Sequence, residues 1–284
     1  MANSDSRLSW SRLDIEQRLG FRGGRFTNVN STFCAILAAV CSVAFYTILY
    51  VLPPNWFTAM FTQRGMTPFP MVFLAFWSLF ILLLKWSKTS LQKKTLKIKI
   101  LPPELDFILS PNTVDQILRN VNEQIEQPKH FFLFNRIVGA LANLKNIGMI
   151  SDVGDILRSY NEQDIDSVET SYSLLNGFLW AIPVLGFIGT VEGLSKAIGI
   201  FGNVLANGAN TAALTTSLQS VTGGLATAFE TTLVALILAL SLHLFATAMK
   251  KSEDELLIAC SEYCSQNIVA HLRMPSYRNE EQRT

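Results

Sequence analysis

The stretch Ala181–Leu194 reads AIPVLGFIGTVEGL, and the stretch Val221–Leu240 reads VTGGLATAFETTLVALILAL. Both are apolar enough to lie in lipid, yet both carry threonine, glycine and one glutamate. Polar and ionisable groups are costly inside a bilayer, so their presence within a membrane helix is a functional hypothesis by default. The two stretches therefore predict a pair of membrane helices that do more than anchor the chain.

The composition of the whole chain is that of an integral membrane protein. Its 284 residues are 49% hydrophobic and only 16% charged, with a formal net charge of +1. Soluble domains usually carry about 25% charged residues. A membrane span needs about 20 apolar residues. Four segments meet this requirement: Phe33–Leu52, Phe69–Trp86, Ser173–Phe201 and Val221–Met249.

Lysine and arginine residues indicate which side of the membrane each loop faces. They cluster before the first span, between the second and third spans, and directly after the fourth. The loop 53–68 holds only Arg64, and the loop 202–216 holds no charge. Because cytoplasmic loops carry an excess of Lys and Arg, we expect both termini and the central segment to be cytoplasmic.

The spans predict an all-α integral membrane protein of five segments. They are a cytoplasmic N-terminal arm (1–30), a transmembrane hairpin (31–86), a cytoplasmic helical segment (87–172), a second transmembrane hairpin (173–249) and a cytoplasmic C-terminal helix and tail (250–284). The central segment predicts helices that begin after Ser110–Asn112, near Phe131 and near Asp152. Since no helix breaker adjoins the cytoplasmic ends of spans three and four, both helices should extend into the cytoplasm.

Small and polar residues recur at helical spacing in both of the later spans. Positions three and four apart are neighbours on a helix surface. In span four this places on one face Gly223, Gly224, Thr227, Glu230 and Thr231, with Thr232 about 100° further round. In span three the corresponding face holds Gly186, Gly189, Thr190 and Gly193.

Spacing alone leaves two interpretations of these faces open. Small residues at every fourth position are typical of closely packed membrane helices, whereas a row of polar groups is also consistent with a conduction path. Glu230 favours conduction, because a carboxylate near the middle of the membrane costs about 2.5–3.5 kcal/mol on insertion scales. Helix packing alone does not require such a group.

Other charged residues of the spans have simpler interpretations. Glu192 and Lys196 are four residues apart with the acid first, which is the favourable orientation for an ion pair on a helix. We interpret this pair as structural, and His243 as bonding a neighbouring helix rather than relaying protons. The sequence shows no metal-ligand cluster, nucleotide-binding loop or hydrolase motif. We therefore expect no enzymatic activity and no cofactor.

The two motifs resemble the MotA/TolQ/ExbB proton channel family. Pro183–Leu194 is similar to that family's proline, Leu-Gly and Gly-Thr-Val-x-Gly pattern, and Ala228–Leu236 to its Ala-Phe-x-x-Thr-Leu segment. The resemblance covers residues 174–250, and the arrangement of four spans is similar to the flagellar stator branch. The chain departs from the TolQ/ExbB pattern at Thr227, where that branch carries a glutamate.

The resemblance implies an ion channel subunit of an inner-membrane motor or energy-transducing complex, driven by the proton motive force. Five copies would surround a single-span partner, similar to MotB, ExbD or TolR, whose transmembrane aspartate carries H⁺ or Na⁺. Thr190 and Thr232 would line the ion path, with Thr227, Thr231 and Glu230 beside it, and Pro183 would permit a bend in span three.

The alternative function is a non-conducting membrane scaffold whose glycines only pack the helices together. Two other classes are less well supported. A solute transporter should show an inverted repeat or a pair of broken helices, and none is visible in the sequence. The near-zero net charge gives no indication of nucleic acid binding.

Overall fold

The computed structural model describes residues 9–10, 14–18, 20–21, 23–63, 65–98, 100, 113–147, 151–206 and 211–272. The regular elements within these ranges are all helices. The α-helices are α1 (Ile15–Arg18), α2 (Ser31–Val51), α3 (Trp56–Thr62), α4 (Pro68–Thr95), α5 (Val114–Gln124), α6 (Phe132–Ile147), α7 (Ser151–Ser171), α8 (Ser173–Ala206) and α9 (Thr211–Asn267). Two short 3₁₀ helices span Pro128–His130 and Val269–His271.

Four helical stretches are long and apolar enough to cross a membrane. They are Ser31–Val51, Pro68–Thr95, Asp152–Val204 and Leu214–His271. Helices suit lipid because every backbone polar group within the span is satisfied inside the segment itself. The prediction of an all-α protein with four apolar spans is confirmed.

Local sequence fixes the ends of the first span. The Asn30 side chain caps α2, since its Oδ1 accepts hydrogen bonds from the backbone N–H of Thr32 at 3.1 Å and of Phe33 at 3.4 Å. The helix ends at Val51, where Leu52 turns to an extended conformation before two prolines. Helix α3 then begins at Trp56, and its Thr58 Oγ1 accepts from the Asn55 N–H at 2.9 Å.

The chain divides into two compact units. The first, which we call the polar unit, comprises Met1–Asn28, Lys85–Thr170 and Lys250–Thr284. The second, the span unit, comprises Val29–Leu84 and Ser171–Met249. Helix α9 is long enough to contribute residues to both units.

The polar unit has an apolar core built on helices α5 and α6. Helix α5 buries Val114, Ile117 and Val121, which recur at helical spacing on one of its faces. Trp10, from the N-terminal arm, is also fully buried, with its ring edge-on to Phe131 at a centroid distance of 5.2 Å. Trp10 therefore belongs to the core of this unit.

Three buried ion pairs accompany that core. Lys85 Nζ lies 3.2 Å from both carboxylate oxygens of Glu253, and Thr89 Oγ1 donates to the same carboxylate at 3.2 Å. Lys88 pairs with Glu16 and lies 3.7 Å from Asp14. In the third pair Arg136 Nε donates to Asp164 Oδ2 at 2.6 Å. Each buried charge thus has a partner of opposite sign, as its desolvation requires.

The structure differs from the sequence prediction at the start of span three. We expected one uninterrupted helix there, but α7 ends at Ser171 and α8 begins at Ser173. The Tyr172 carbonyl still accepts from the Asn176 N–H at 2.8 Å, which is the helical spacing, so the interruption is confined to Tyr172. Arg64 and the predicted cap Ser110–Asn112 lie outside the described residues.

Candidate functional site

Helices α8 and α9 approach each other closely within the span unit. Their contact is made by residues with small side chains, which we call the small-residue seam. On α8 these residues are Gly186, Gly189, Gly193 and Ala197, and on α9 they are Gly224, Ala228, Thr231 and Ala235. The spacing of three and four follows one face of each helix.

The glycines of the seam have no room for a side chain. A Cβ atom placed at Gly186 would overlap the Cβ of Ala235, and one at Gly189 would lie 2.7 Å from Thr231 Oγ1. A Cβ at Gly224 would lie 2.7 Å from the Cβ of Ala197. Close backbone approach of this kind is how membrane helices gain van der Waals contact. The packing interpretation is therefore supported for these three glycines.

Two threonines meet beside the seam. Thr190 Oγ1 and Thr232 Oγ1 are 3.3 Å apart, and Thr232 Oγ1 also donates to the Gly186 carbonyl at 3.0 Å. Thr190 Oγ1 donates to the Phe187 carbonyl at 2.7 Å. Both side chains are half-buried. Because a hydroxyl has one donor and two acceptor positions, the pair retains the capacity to accept further hydrogen bonds.

The other polar residues of span four, which were predicted to lie on one face of the helix, do not share a face. Thr231 is 1% exposed, donates to its own helix at the Ala228 carbonyl (2.9 Å), and packs inside the seam. Thr227 donates to the Gly223 carbonyl at 2.9 Å and is half-buried, as is Glu230. A Cβ at Gly223 would meet no atom of the described residues within 4 Å.

This division corrects the single face predicted for span four. The seam follows Gly224, Ala228, Thr231 and Ala235, so the face through Gly223, Thr227 and Glu230 lies beside it. Within this chain Gly224 packs in the seam, whereas a Cβ at Gly223 would meet no atom of the described residues within 4 Å. The sequence shows the spacing of both rows, but the crossing geometry of the two helices selects the row that becomes buried.

Sequence reasoning missed Thr67, whose hydroxyl lies at the small-residue seam beside Gly189. It immediately precedes α4, is 6% exposed, and its Oγ1 would lie 3.3 Å from a Cβ placed on Gly189. This Oγ1 has no hydrogen-bond partner among the described residues. A polar residue next to Pro68 at the end of a span was the available signal, but only the fold brings it to the seam.

The predicted pair of Glu192 and Lys196 forms on α8, and both side chains remain partly exposed. The Glu192 carboxylate lies beside the loop before α4, with Oε1 3.4 Å from the Cβ position of Gly65. Pro183 lies inside α8, which continues through it, and His243 is exposed on α9. The described residues contain no group of three or more side chains suited to a metal ion.

The span unit also contains an apolar cavity of about 580 Å³, between α2, α3, α4 and α9. Aromatic and aliphatic side chains line it, together with Ser241, whose hydroxyl donates to the Ile237 carbonyl at 2.8 Å. Such a lining offers an ion no ligand. The hydroxyl groups at Thr190 and Thr232 are therefore the better candidate for an ion site.

Comparison with known protein families finds a match in the part of the chain that contains the small-residue seam and the threonine pair. Residues 125–261 match the model of the MotA/TolQ/ExbB proton channel family. This range includes all of α8, the small-residue seam and the pair of Thr190 and Thr232. Searches of curated proteins and of solved structures found no match. With its four apolar helices the protein is a multi-pass membrane protein, and its residues 125–261 are similar to the MotA/TolQ/ExbB proton channel family.

Proposed function

We propose that this protein is the ion-conducting subunit of a motor or energy-transducing complex in the bacterial inner membrane. In this proposal five copies surround a single-span partner that carries a transmembrane aspartate. The chain has both termini in the cytoplasm, and the cytoplasmic part includes α7, which leads into span three, and the C-terminal part of α9. The transported ion is H⁺ or Na⁺.

The observation that carries this proposal is the contact of Thr190 with Thr232. Their hydroxyls come within 3.3 Å although 42 residues separate them in the chain. Each hydroxyl also bonds to a backbone carbonyl of α8, at Phe187 and Gly186, respectively. These bonds hold the two oxygens in place beside the seam, so that a small site is preorganised without a permanent charge.

A threonine pair of this kind suits transient binding of an ion or a protonated group. With its hydrogen on a backbone carbonyl, each hydroxyl can still accept from a protonated carboxyl group or a proton-bearing water, or coordinate Na⁺. The partner's aspartate would therefore interact with the pair differently in its charged and neutral forms. With five equivalent pairs around the partner, ion flow would shift the aspartate from one pair to the next and drive relative rotation.

The experiment that tests this proposal replaces Thr232. Thr232→Ala removes a hydroxyl, and losing a hydrogen bond to a charged group costs about 1.5–3 kcal/mol. We expect at least about a tenfold loss of proton uptake, since 1.4 kcal/mol is a factor of ten. The measurement is dye-reported acidification of liposomes that contain the chain with its single-span partner, and Thr232→Ser should retain most of the flux.

The matched control is Thr222→Ala. Thr222 is an exposed threonine of the same helix, and its hydroxyl bonds only to its own turn, at the Gln219 carbonyl (2.9 Å) and the Leu218 carbonyl (3.1 Å). This variant should conduct like the parent chain. Unchanged proton uptake by Thr232→Ala, in a complex of unchanged size, would remove the threonine pair from the ion path.

A second candidate is the non-conducting scaffold, and the tight contacts of Gly186, Gly189 and Gly224 favour it. Under this alternative the threonines matter only for packing. Replacement of Thr190 and Thr232 by alanine would then leave function intact, whereas Gly189→Leu would disrupt assembly. The two functions therefore differ in whether a variant that assembles normally can still fail to pass ions.

A further inference from the structure

The apolar cavity of the span unit offers almost nothing to a polar ligand. Its volume is about 580 Å³, and none of the described residues that line it is charged. Ser241 carries the only hydroxyl among them, and this hydroxyl donates to the Ile237 carbonyl of its own helix at 2.8 Å. A buried water molecule needs about two to four polar partners, so the chemistry of this lining favours a hydrocarbon.

Three helices form the inner wall of this cavity without help from a ligand. Phe45 of α2 lies edge-on to Phe61 of α3, with 5.4 Å between the ring centroids, and also to Phe76 of α4, at 5.9 Å. Edge-to-face arrangements of this kind are favourable in addition to the burial of the rings. All three rings line the cavity. The cavity is therefore part of the folded chain, and an occupant does not have to create it.

The cavity extends along the half of the span unit that adjoins α3. Thr67 directly precedes α4, and both Thr67 and Thr231 lie next to Gly189, so position 231 of α9 is level with the start of α4. From this level the lining lies within residues 72–79 of α4 and 233–242 of α9. These stretches are about 11 Å and about 14 Å long, since a helix rises about 1.5 Å per residue. One leaflet of a hydrocarbon core about 30 Å thick measures about 15 Å, so the cavity has the depth of a single leaflet.

Aromatic side chains stand at the mouth of the cavity. Trp56 and Phe57 of α3 line the cavity and yet are 65% and 52% exposed, respectively. Tryptophan is enriched at the membrane–water interface, where its indole lies at the level of the lipid headgroups. This preference puts the mouth beside the headgroups and the interior of the cavity beside the acyl chains.

We propose that this cavity binds one acyl chain of a phospholipid from the leaflet that adjoins α3, with the headgroup beside Trp56. The bound chain joins α3 to the membrane and adds apolar contact to α2, α4 and α9. The site does not depend on the proposed ion path, because neither Thr190 nor Thr232 lines the cavity.

The width of the cavity favours a hydrocarbon chain over a helix of a second copy. Its volume of about 580 Å³, distributed over a length of about 14 Å, gives a mean cross-section of about 40 Å². An α-helix with its side chains is at least about 10 Å across, which corresponds to about 80 Å². A neighbouring copy could therefore cover the mouth but not fill the interior, whereas an acyl chain can enter.

The test uses a phospholipid that carries a photoreactive diazirine in the middle of one acyl chain. The full chain is incorporated into liposomes that contain this lipid, illuminated, and analysed for labelled residues by mass spectrometry. Val72 and Ala75 line the cavity but are buried, so only a lipid inside the cavity contacts them. Met71 and Leu82 are buried on the same helix outside the lining, and we expect at least about tenfold less label there, since labelling requires direct contact.

Ala75→Trp fills the cavity from its wall. We expect this variant to lower the label at Val72 at least about tenfold, because the indole occupies the space of the acyl chain. The matched control is Ala39→Trp, at an exposed position of α2 that does not line the cavity, and it should be labelled like the parent. If Ala75→Trp does not fold, Ser241→Phe takes its place, because Ser241 lines the cavity from an exposed position.

Two results would overturn the proposal. The first is label at Val72 and Ala75 no stronger than at Met71 and Leu82, which would mean that the acyl chain stays outside and that a second copy or another protein covers the mouth. The second is label at Val72 that the cavity-filling variant leaves at the strength of Ala39→Trp, since the lipid would then reach this residue by another route.

Discussion

The span unit and the polar unit bury polar groups in two different ways. In the span unit, the small-residue seam buries Thr231, whose hydroxyl bonds to its own helix, and no charged side chain takes part. In the polar unit, the buried polar groups include full charges, as in the pair of Lys85 and Glu253. Helix α9 contributes residues to both interiors. The difference between the two interiors therefore comes from the side chains of α9 and not from its backbone conformation.

The difference shows which interactions each interior can use. Lipid tails are as apolar as leucine, so membrane helices associate through close packing and backbone-satisfied hydroxyls rather than through burial of large side chains. The polar unit has an apolar core of its own, and the attraction within its buried ion pairs is offset by the cost of taking both charges out of water. A substitution in either interior should therefore lower the free energy of unfolding by an amount that depends on which interior it disturbs.

The largest effect should come from breaking a buried ion pair. Glu253→Ala removes the carboxylate that bonds Lys85 and Thr89, and removal of one partner of a buried pair costs about 3–5 kcal/mol. The measurement is the free energy of unfolding in a denaturant titration followed by circular dichroism. Glu255→Ala is the matched control, because Glu255 is two residues away, exposed, and only 3.9 Å from Lys251; its effect should stay within about 1 kcal/mol.

A double replacement sharpens this result. Lys85→Met combined with Glu253→Leu should recover most of the lost stability, since well-packed apolar side chains often replace a buried pair at little cost. A double variant as unstable as Glu253→Ala alone would indicate that the pair contributes a large net stabilisation.

A smaller effect is expected from one methyl group in the seam. Gly186→Ala forces a Cβ against Ala235, and overpacking of this kind costs about 1–3 kcal/mol. Gly223→Ala places the same methyl group in open space and should gain up to about 1 kcal/mol from helix propensity. The same denaturant titration measures both variants. Equal losses of unfolding free energy at Gly186 and Gly223 would contradict the conclusion that Gly186 lies in the small-residue seam and Gly223 outside it.

The smallest effect, of opposite sign, is predicted for Thr67→Val. The Thr67 hydroxyl is buried without a partner among the described residues, so an isosteric apolar replacement should be neutral or stabilise by about 1 kcal/mol. Thr58→Val is the control, because its hydroxyl accepts from the Asn55 N–H and the variant should lose about 1 kcal/mol. A loss at Thr67 as large as that at Thr58 would mean that the hydroxyl has an acceptor in the membrane.

Much of the helical organisation follows from the sequence. Apolar length predicts the four spans, helical periodicity predicts the buried stripe of α5, and Pro128 marks the break before α6. The family resemblance indicated Thr190 and Thr232, whose hydroxyls lie 3.3 Å apart, and their role in an ion path stays a prediction. These features depend on local pattern or on motifs that lie within a single span.

Other features depend on partners far away in the chain, and the sequence could not indicate them. Lys88 counts towards the positive-inside pattern like any other lysine, and Lys85 lies at the end of the predicted second span, yet both are almost fully buried. Their burial depends on Glu253 and Glu16, which no local window includes. Likewise, the burial of Trp10 depends on Phe131, because an aromatic residue in a polar arm finds a core only through tertiary contact.

The separation of Lys85 from Glu253 also affects the synthesis of the protein. The two residues are 168 positions apart, so at about 5–20 residues per second the ribosome needs about 8–34 seconds to supply the glutamate after the lysine. During this interval the Lys85 ammonium has no carboxylate from α9 to pair with, and as a cation at the end of a span we expect it to favour the cytoplasmic side. We therefore expect one side chain to act first as a topology signal and later as an interior contact of the finished fold.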